Sequence, residues 1–413
     1  MQIVYNIDWL EVYCLETSNL FPMNATFFES QGWNVRRREY GTRVYKEMFT
    51  LLDNEGYPFI EIRRNPASDK SINGGIFDEK SCHIRLTNYY CYHDDPIQLL
   101  REFLVRYDYI LVRIFRIDIC ADFIKFIKGD DPAKFIHRYM NGKYSKVNQS
   151  NISAHGTDRW DSRTWNSLSW GKPKSMIGTK MYCKSLELQQ VHDKPYIKHN
   201  WWVNGLIDNP ISCTKKDSQG NQYTPDIWRV EFSIHSSAKK WYLIERADTR
   251  KEHTQPMPHT LDIYDNRYKL AIVFASLAQH YFHFKIYEEG KRKDRCKDKE
   301  LFDFAFITEY YKVDRLASHT PITPKLNRLL ILLQNYADTT IDQEVQKAIN
   351  IVIKSIRNRQ TTEHAGKHYD ARELLILQRL IAERSKGNRD KTITEQRKAI
   401  ENAIDTYNEY LFG

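Results

Sequence analysis

The alternation of hydrophobic and polar residues predicts a sheet over roughly the first 236 residues of the chain. Ile3–Tyr13 alternates as a first strand, and Tyr57–Arg63 and Ser81–Thr87 are further strands between turn-rich segments. The β-branched run Ile110–Phe123 predicts a long strand, and Trp228–Ile234 is expected to be the last one. The N-terminal part is therefore dominated by strands.

Helical patterns interrupt these strands. Pro96–Tyr107 carries apolar residues at helical spacing, and Asp131–Met140 reads as a second helix that opens at Pro132. Thr164–Leu188 predicts a hairpin around the turn Gly171–Lys174. A sheet crossed by helices indicates an α+β fold.

Beyond residue 236 the apolar period changes to that of a helix. Leu261–Phe284 predicts one long helix, and Ile341–Ile356 carries one buried stripe. Leu374–Ala382 and the capping box Thr392–Glu395 predict two more helices. These patterns divide the chain into a sheet-based domain (1–290), a basic linker region (291–323) and a helical C-terminal domain (324–413).

The charge balance favours a polyanionic partner. Lys and Arg together exceed Asp and Glu by nine in 413 residues, and basic residues cluster at Arg36–Arg38 and Gly290–Lys299. Each cluster is equally consistent with a solvated loop. The seven cysteines have no C-x-x-C spacing, which predicts reduced thiols and no zinc site. The N-terminus shows no signal-peptide pattern and no apolar run is long enough to span a bilayer, so a cytoplasmic location is expected.

Two carboxylates share one face of the predicted strand Ile110–Phe123. Asp118 and Asp122 lie four residues apart, and the period of two places them on the same side as Arg116. Such a pair needs a cation or a proton to persist, and oxygen ligands suit Mg²⁺ or Mn²⁺. A salt bridge between Arg116 and this face is the simpler alternative.

Arg229 and Glu231 share a face of the strand Trp228–Ile234 in the same way. If that strand lies beside the first, Glu231 completes a three-carboxylate site. An ion pair across the strands is the more common role of an Arg-x-Glu pair.

Tyr182 is a candidate nucleophile. In the sequence TKMYCKSLE the strand period places Lys180, Tyr182 and Lys184 on one face, where two ammonium groups would favour the phenolate. Attack on a phosphodiester is the chemistry that suits this residue. The chain has 26 tyrosines, however, and a tyrosine in a strand most often serves packing.

The order of these motifs resembles that of the Rep_trans family of replication initiation factors, which includes plasmid rolling-circle initiators and relaxase-like proteins. The matching segments are Arg116–Phe123, Trp170–Gly171, Met181–Lys184 with Glu187, and Trp228–Glu231. The helix near 131–140 falls between the first two, and weaker matches extend the likeness to about residues 5–285.

The resemblance implies a nicking domain built on duplicated ferredoxin-like repeats, whose tyrosine attacks one strand of origin DNA. Carried over to this chain, Tyr182 is the nucleophile and Lys184 stabilises the developing charge. Asp118, Asp122 and Glu231 hold Mg²⁺ or Mn²⁺. The predicted partner is duplex origin DNA with an extruded single strand, and a host helicase and a second copy of the chain are further candidates. The residues expected to contact this DNA are Arg116, Lys172, Lys174, Lys180 and Arg229.

Two features depart from related patterns. The chain has no His-x-His motif, which the wider nicking superfamily uses for its metal, and Arg85–Thr87 stands where an acid is common in the family. The insertion Val191–Pro225 contains Trp201-Trp202 and Lys215-Lys216, which either hold single-stranded DNA or plug a surface loop. A conjugative relaxase and a non-catalytic origin-binding regulator remain alternatives to a replication initiator.

Overall fold

The computed structural model describes residues 2–17, 22–67, 80–148, 151–159, 162–172, 175–238, 240–246, 252–304, 309–314 and isolated positions between 333 and 350. The chain divides into two compact units, Met1–Arg315 and Leu316–Gly413. In the second unit, the helices predicted at Leu374–Ala382 and after Thr392 lie outside the described residues, as does most of Ile341–Ile356. Ile349, one of the predicted stripe residues, is described, and it is helical and buried.

Strands form most of the first unit. Their bounds are β1 Val4–Glu16, β2 Asn34–Arg37, β3 Tyr45–Leu52, β4 Pro58–Pro66, β5 Ser81–Leu86, β6 Tyr109–Phe123, β7 Tyr144–Lys146, β8 Ile152–Arg159, β9 Ser162–Trp170, β10 Ile177–Cys183, β11 Lys215–Lys216, β12 Gln222–Tyr223, β13 Trp228–His235, β14 Lys240–Arg246, β15 Glu252–Met257, β16 Phe284–Ile286, β17 Asp298–Lys299 and β18 Glu309–Asp314.

The helices of this unit are short, and three of them begin with proline in the first turn, where its missing N–H costs no hydrogen bond. Their bounds are α1 Ala25–Ser30, α2 Asn88–Cys91, α3 Pro96–Arg106, α4 Pro132–Met140, α5 Lys184–Gln190, α6 Pro195–Val203 and α7 Arg267–Tyr281. None of the helices in the described part of the chain is long and apolar enough to cross a membrane.

Ten strands form one sheet in the order β2-β3-β4-β5-β1-β6-β13-β10-β9-β8. All neighbouring strands in it pair antiparallel, so the fold class is α+β as predicted. Smaller sheets have the orders β15-β14-β18, β17-β16-β7 and β11-β12.

The two faces of the large sheet differ in chemistry. One face is apolar, and Ile119 and Val230 on it pack in the same core as Leu100 of α3, Ile136 of α4 and Val273 of α7. Burial of this apolar surface is the main source of stability. The opposite side, called the polar face below, carries polar residues on its central strands: Glu11, Arg116, Asp118, Asp122, Lys180, Tyr182, Arg229, Glu231 and Ser233.

Three local predictions need correction. The strand predicted to run to Leu188 ends at Cys183, because the following segment KSLELQQ consists mainly of good helix formers and folds as α5. The helix predicted over Leu261–Phe284 is divided into a 3₁₀ turn and α7. The Asn266 side chain accepts a hydrogen bond from the Lys269 N–H and so caps a new helix that begins at Arg267. Further strands follow β13, which is therefore not the last one.

Part of the region predicted as a linker contains regular structure. β17 pairs with β16, and β18 pairs with β14, inside the first compact unit. The sequence pattern missed β17 because it is two residues long, and it missed β18 because three of its six residues are charged.

Candidate active site

The central strands bring the predicted site residues onto the polar face. β13 lies between β6 and β10. The strand that carries Glu231 is therefore beside the strand that carries Asp118 and Asp122, as the three-carboxylate prediction requires. Arg229 is opposite Asp122 on one side and Tyr182 on the other, while Glu231 is opposite Cys120 and Lys180. Directly opposed residues of paired strands share a face, so the register sets these side chains next to one another.

The Tyr182 hydroxyl donates a hydrogen bond to Glu231. Its Oη lies 3.0 Å from Glu231 Oε2, and the tyrosine ring is half-buried. The Lys180 ammonium is 3.9 Å from the other oxygen of this carboxylate, and its side chain is 49% exposed. The candidate nucleophile therefore has a proton acceptor in direct contact, with a solvent-facing cation beside that acceptor.

Glu231 has the acid–base character of a general base. Burial, together with the carboxylates of Asp118 and Asp8, raises its pKa to about 7, against the opposing charges of Lys180 and Arg229. Near neutral pH this carboxylate is present both with and without its proton. Such a group both accepts and returns a proton within one reaction cycle.

The pKa of Tyr182 differs from the sequence expectation. Burial and the charge of Glu231 raise the pKa of the phenol well above its ordinary value, and the Arg229 guanidinium opposes this only in part. The flanking lysines were expected to favour the phenolate. The resting hydroxyl instead keeps its proton, and a base must remove it during reaction.

Lys184 lies at the site, but it is on a helix and not on the strand face where the sequence pattern predicted it. It is the first residue of α5, its ammonium lies 5.5 Å from the centre of the Tyr182 ring, and the side chain is buried. Its Nζ is 2.7 Å from Glu187 Oε2. A cation is therefore held beside the phenol, but as half of an ion pair and not on the strand face.

Asp122 and Arg229 form a buried ion pair beneath the site. Arg229 Nε and Nη2 donate to the two carboxylate oxygens at 2.6 and 2.7 Å, and both side chains are fully buried. Trp201 Nε1 also donates to Asp122, at 2.7 Å. This placement differs from both predicted roles. Asp122 has three donors in place of an open ligand position, and Arg229 has no exposed surface to reach a DNA phosphate.

Asp118 pairs with Arg116, which is the simpler of the two alternatives. Arg116 Nε donates to Asp118 Oδ1 at 2.9 Å, and the guanidinium also lies 4.7 Å from the centre of the Trp9 ring. Burial raises the pKa of Asp118, although Arg116 opposes the shift. The Arg116 side chain remains 30% exposed.

The three predicted metal ligands each have a protein partner in this structure. In the described residues, no group of three or more His, Cys, Asp or Glu side chains lies close enough to hold a metal ion. The side chains as they lie therefore do not fit a three-carboxylate site. Binding of Mg²⁺ or Mn²⁺ stays a prediction, and no chemical step below is assigned to a metal.

Asp8 is a site residue that the motifs did not reveal. It lies where the register of β1 against β6 shifts, between Ile7 and Trp9. Its Oδ1 accepts from Arg229 Nη1 at 2.7 Å and from the Tyr92 hydroxyl at 2.6 Å. Burial favours the protonated acid, but the charges of Arg229 and Lys184 hold the pKa of Asp8 below its ordinary value. The available signal was an acidic residue between apolar neighbours in the predicted first strand.

The remaining predicted residues are spread around the site. Lys172 is exposed in the turn after β9, and Lys174 lies outside the described residues. In the insertion, Trp201 is buried and supports Asp122, whereas Trp202 is 44% exposed. Lys215 donates to the carbonyl oxygens of Gly205 and Leu206. Trp201 therefore has a structural role in the core beneath the insertion.

Comparison with known proteins finds a distant structural similarity and no sequence match. No protein-family model matches the chain, and no curated protein sequence matches it. The chain is similar to the solved structure of a rolling circle replication initiator protein from Geobacillus stearothermophilus, with 14% identity and a TM-score of 0.42. The similarity covers 74% of this chain and 94% of that one. A likeness this distant carries no weight for the chemistry.

Proposed function

We propose that this chain is a rolling-circle replication initiator that nicks and rejoins one strand of origin DNA through Tyr182. The observation that carries the proposal is the hydrogen bond from the Tyr182 hydroxyl to Glu231, 3.0 Å long, on the polar face of the sheet. A phenol next to a carboxylate of pKa about 7 has the proton acceptor that a tyrosine nucleophile needs.

The reaction proceeds in two transfers. Tyr182 Oη attacks the scissile phosphorus while its proton passes to Glu231 Oε2. The bond from phosphorus to the departing 3′ oxygen breaks, and that oxygen takes up a proton from water. A 5′-phosphotyrosyl ester and a free 3′ hydroxyl result. In rejoining, a 3′ hydroxyl attacks the phosphotyrosyl phosphorus and releases its proton to water. The bond from phosphorus to the Tyr182 oxygen breaks, and the phenol leaves with the proton that Glu231 returns.

Two cations are placed to stabilise the charge that develops on the phosphate. The exposed Lys180 is the more accessible of the two, because the Lys184 ammonium is paired with Glu187. A positioned cation in a partly water-excluded site stabilises a phosphoryl transition state more than it does in bulk water. Arg229 and Asp122 act underneath, where they fix β13 and with it Glu231.

One observation favours a non-catalytic DNA-binding regulator as the second candidate. The pKa of the Tyr182 phenol is raised, so the free protein holds this hydroxyl as a weak nucleophile. A regulator on this scaffold would bind the same DNA and never cleave it.

Supercoiled plasmid carrying the DNA that flanks the coding sequence separates the two candidates. The strand-transfer proposal predicts a nicked circle with wild type, and a loss of roughly 100-fold or more in nicking rate with Glu231→Gln. Binding without any nicking supports the regulator. Parallel reactions with Mg²⁺, with Mn²⁺ and with a chelator test the predicted metal requirement. A host helicase and a second copy of the chain stay predictions.

A further inference from the structure

A cleft of about 610 Å³ opens on the helix-covered side of the sheet, where β9 begins and β10 ends beside α4 and α5. This size falls within the roughly 300–1,000 Å³ of pockets that bind small ligands. Its lining residues include Lys134, His137, Arg138, Trp165, Asn166 and Asp226. None of them takes part in the Tyr182 site.

Basic side chains from α4 form one wall of this cleft. Lys134, His137 and Arg138 lie three and four residues apart, which sets them on one face of the helix, and all three are exposed. Asp226 is the one carboxylate among the described residues that line the cleft. The wall is therefore positive, and its charge is complementary to phosphate.

An aromatic side chain also lines the cleft. Trp165 of β9 is half-buried at the cleft, and Asn166 lines it as well. Bases of single-stranded DNA stack on aromatic side chains whatever their sequence, and cations beside the ring hold the phosphates. The cleft combines both elements.

The cleft lies directly behind the candidate nucleophile. Cys183 lines it, and Cys183 follows Tyr182 in β10. Successive side chains of a strand point to opposite faces, so the phenol faces the polar side and the thiol faces the cleft. The phenol and the cleft therefore lie on opposite sides of the same strand end.

We propose that this cleft binds a nucleotide of the single-stranded DNA that flanks the scissile phosphate, a site that rests on the proposed strand-transfer function. Lys134 and Arg138 contact the phosphates, and the base stacks on Trp165. The polar face then holds the reacting phosphate while the cleft fixes the register of the strand.

The first test measures binding of a dye-labelled oligodeoxythymidylate of about 15 nucleotides by fluorescence anisotropy. All proteins carry Tyr182→Phe, so cleavage cannot alter the signal. Arg138→Ala is compared with Arg106→Ala, because Arg106 is an exposed arginine in the last turn of α3 just as Arg138 is in α4. Arg138→Ala is expected to weaken binding several-fold and to lower the salt slope by about 0.7, whereas Arg106→Ala leaves both unchanged. Equal effects of the two variants overturn the proposal.

The second test locates the base. The same oligonucleotide with 5-iododeoxyuridine is irradiated with the Tyr182→Phe protein, and cross-linked peptides are identified by mass spectrometry. A cross-link at Trp165 supports the cleft, and cross-links confined to polar-face aromatics such as Trp9 overturn it. Failure of the cleft proposal and failure of the strand-transfer proposal can be told apart. A cross-link at Trp165, together with a wild-type protein that never nicks, supports the cleft and contradicts strand transfer.

Discussion

At the scale of single residues, the proposed chemistry depends on the hydrogen bond from Tyr182 to Glu231. Neither side chain has its ordinary acid–base behaviour, because both are withdrawn from water and Glu231 lies in the field of Asp118 and Asp8. The raised pKa of the carboxylate makes it a better proton acceptor than an ordinary glutamate, and the raised pKa of the phenol makes that acceptor necessary.

The pH dependence of nicking follows from this pair. Below about pH 7 Glu231 is protonated and cannot accept the phenolic proton, so the nicking rate should rise about tenfold per pH unit and level off above that value. Single-turnover nicking across this range measures it. A wild-type rate that is flat through neutrality would exclude Glu231 as the base.

Glu231→Gln should also change stability in a pH-dependent way. The folded-state pKa lies above the ordinary value, so the stability that the protonated form provides is present at low pH and is lost as pH rises to about 7. At about pH 8 the variant lacks the buried charge and should be more stable than wild type by about 1–3 kcal/mol. Chemical denaturation at about pH 8 and pH 4 checks this, with no difference expected at the lower pH.

At the scale of elements, strand periodicity predicted which side chains share a face, but the only partner it offered that the structure shows is Arg116 for Asp118. The period of two correctly placed Asp118, Asp122 and Glu231 together. The strand period gave the wrong position for Lys184, because the strand ends at Cys183 and a helix begins at Lys184. Pairing of Asp122 with Arg229 depends on the register between distant strands, which a local pattern does not encode. Asp8 enters the site through a register shift in β1, and no motif marks such a shift.

The Asp122–Arg229 pair should be worth more to stability than the Asp118–Arg116 pair. Asp122→Ala removes the acceptor of Arg229 Nε and of the Trp201 N–H at a fully buried position, although Asp8 still pairs with the guanidinium. The expected cost is about 3 kcal/mol, the lower end for breaking a buried ion pair. Asp118→Ala frees a guanidinium that is already partly exposed, so about 1 kcal/mol or less is expected. Urea unfolding of both variants provides the comparison, and equal losses would contradict the assigned roles.

The adjacent tryptophans of α6 allow a matched test of the insertion. Trp201→Phe removes a buried hydrogen bond to Asp122 together with some packing, and should cost about 1–3 kcal/mol. Trp202→Phe changes a side chain that is 44% exposed, so its effect should stay within about 0.5 kcal/mol. Thermal unfolding compares the two, and a larger loss for Trp202→Phe would show that the insertion packs differently.

At the scale of the molecule, the ten-stranded sheet separates stability from chemistry. Helices bury one face, and the polar groups of the central strands are collected on the other. The net charge of +9 over the whole chain favours a polyanionic partner. Composition and alternation predicted this α+β division. They did not predict the order of the strands, because pairing between segments a hundred residues apart depends on the packing of the whole sheet.

The central claim is that the Tyr182 oxygen attacks DNA phosphorus. The most direct measurement is mass spectrometry of the protein after reaction with supercoiled origin DNA and nuclease digestion, comparing wild type, Tyr182→Phe and Tyr268→Phe. Tyr268 is a matched control since it is 60% exposed and remote from the motif in sequence. A phosphotyrosyl nucleotide on Tyr182 in wild type and Tyr268→Phe, and none in Tyr182→Phe, is the predicted result. A covalent adduct that persists in Tyr182→Phe would contradict the account.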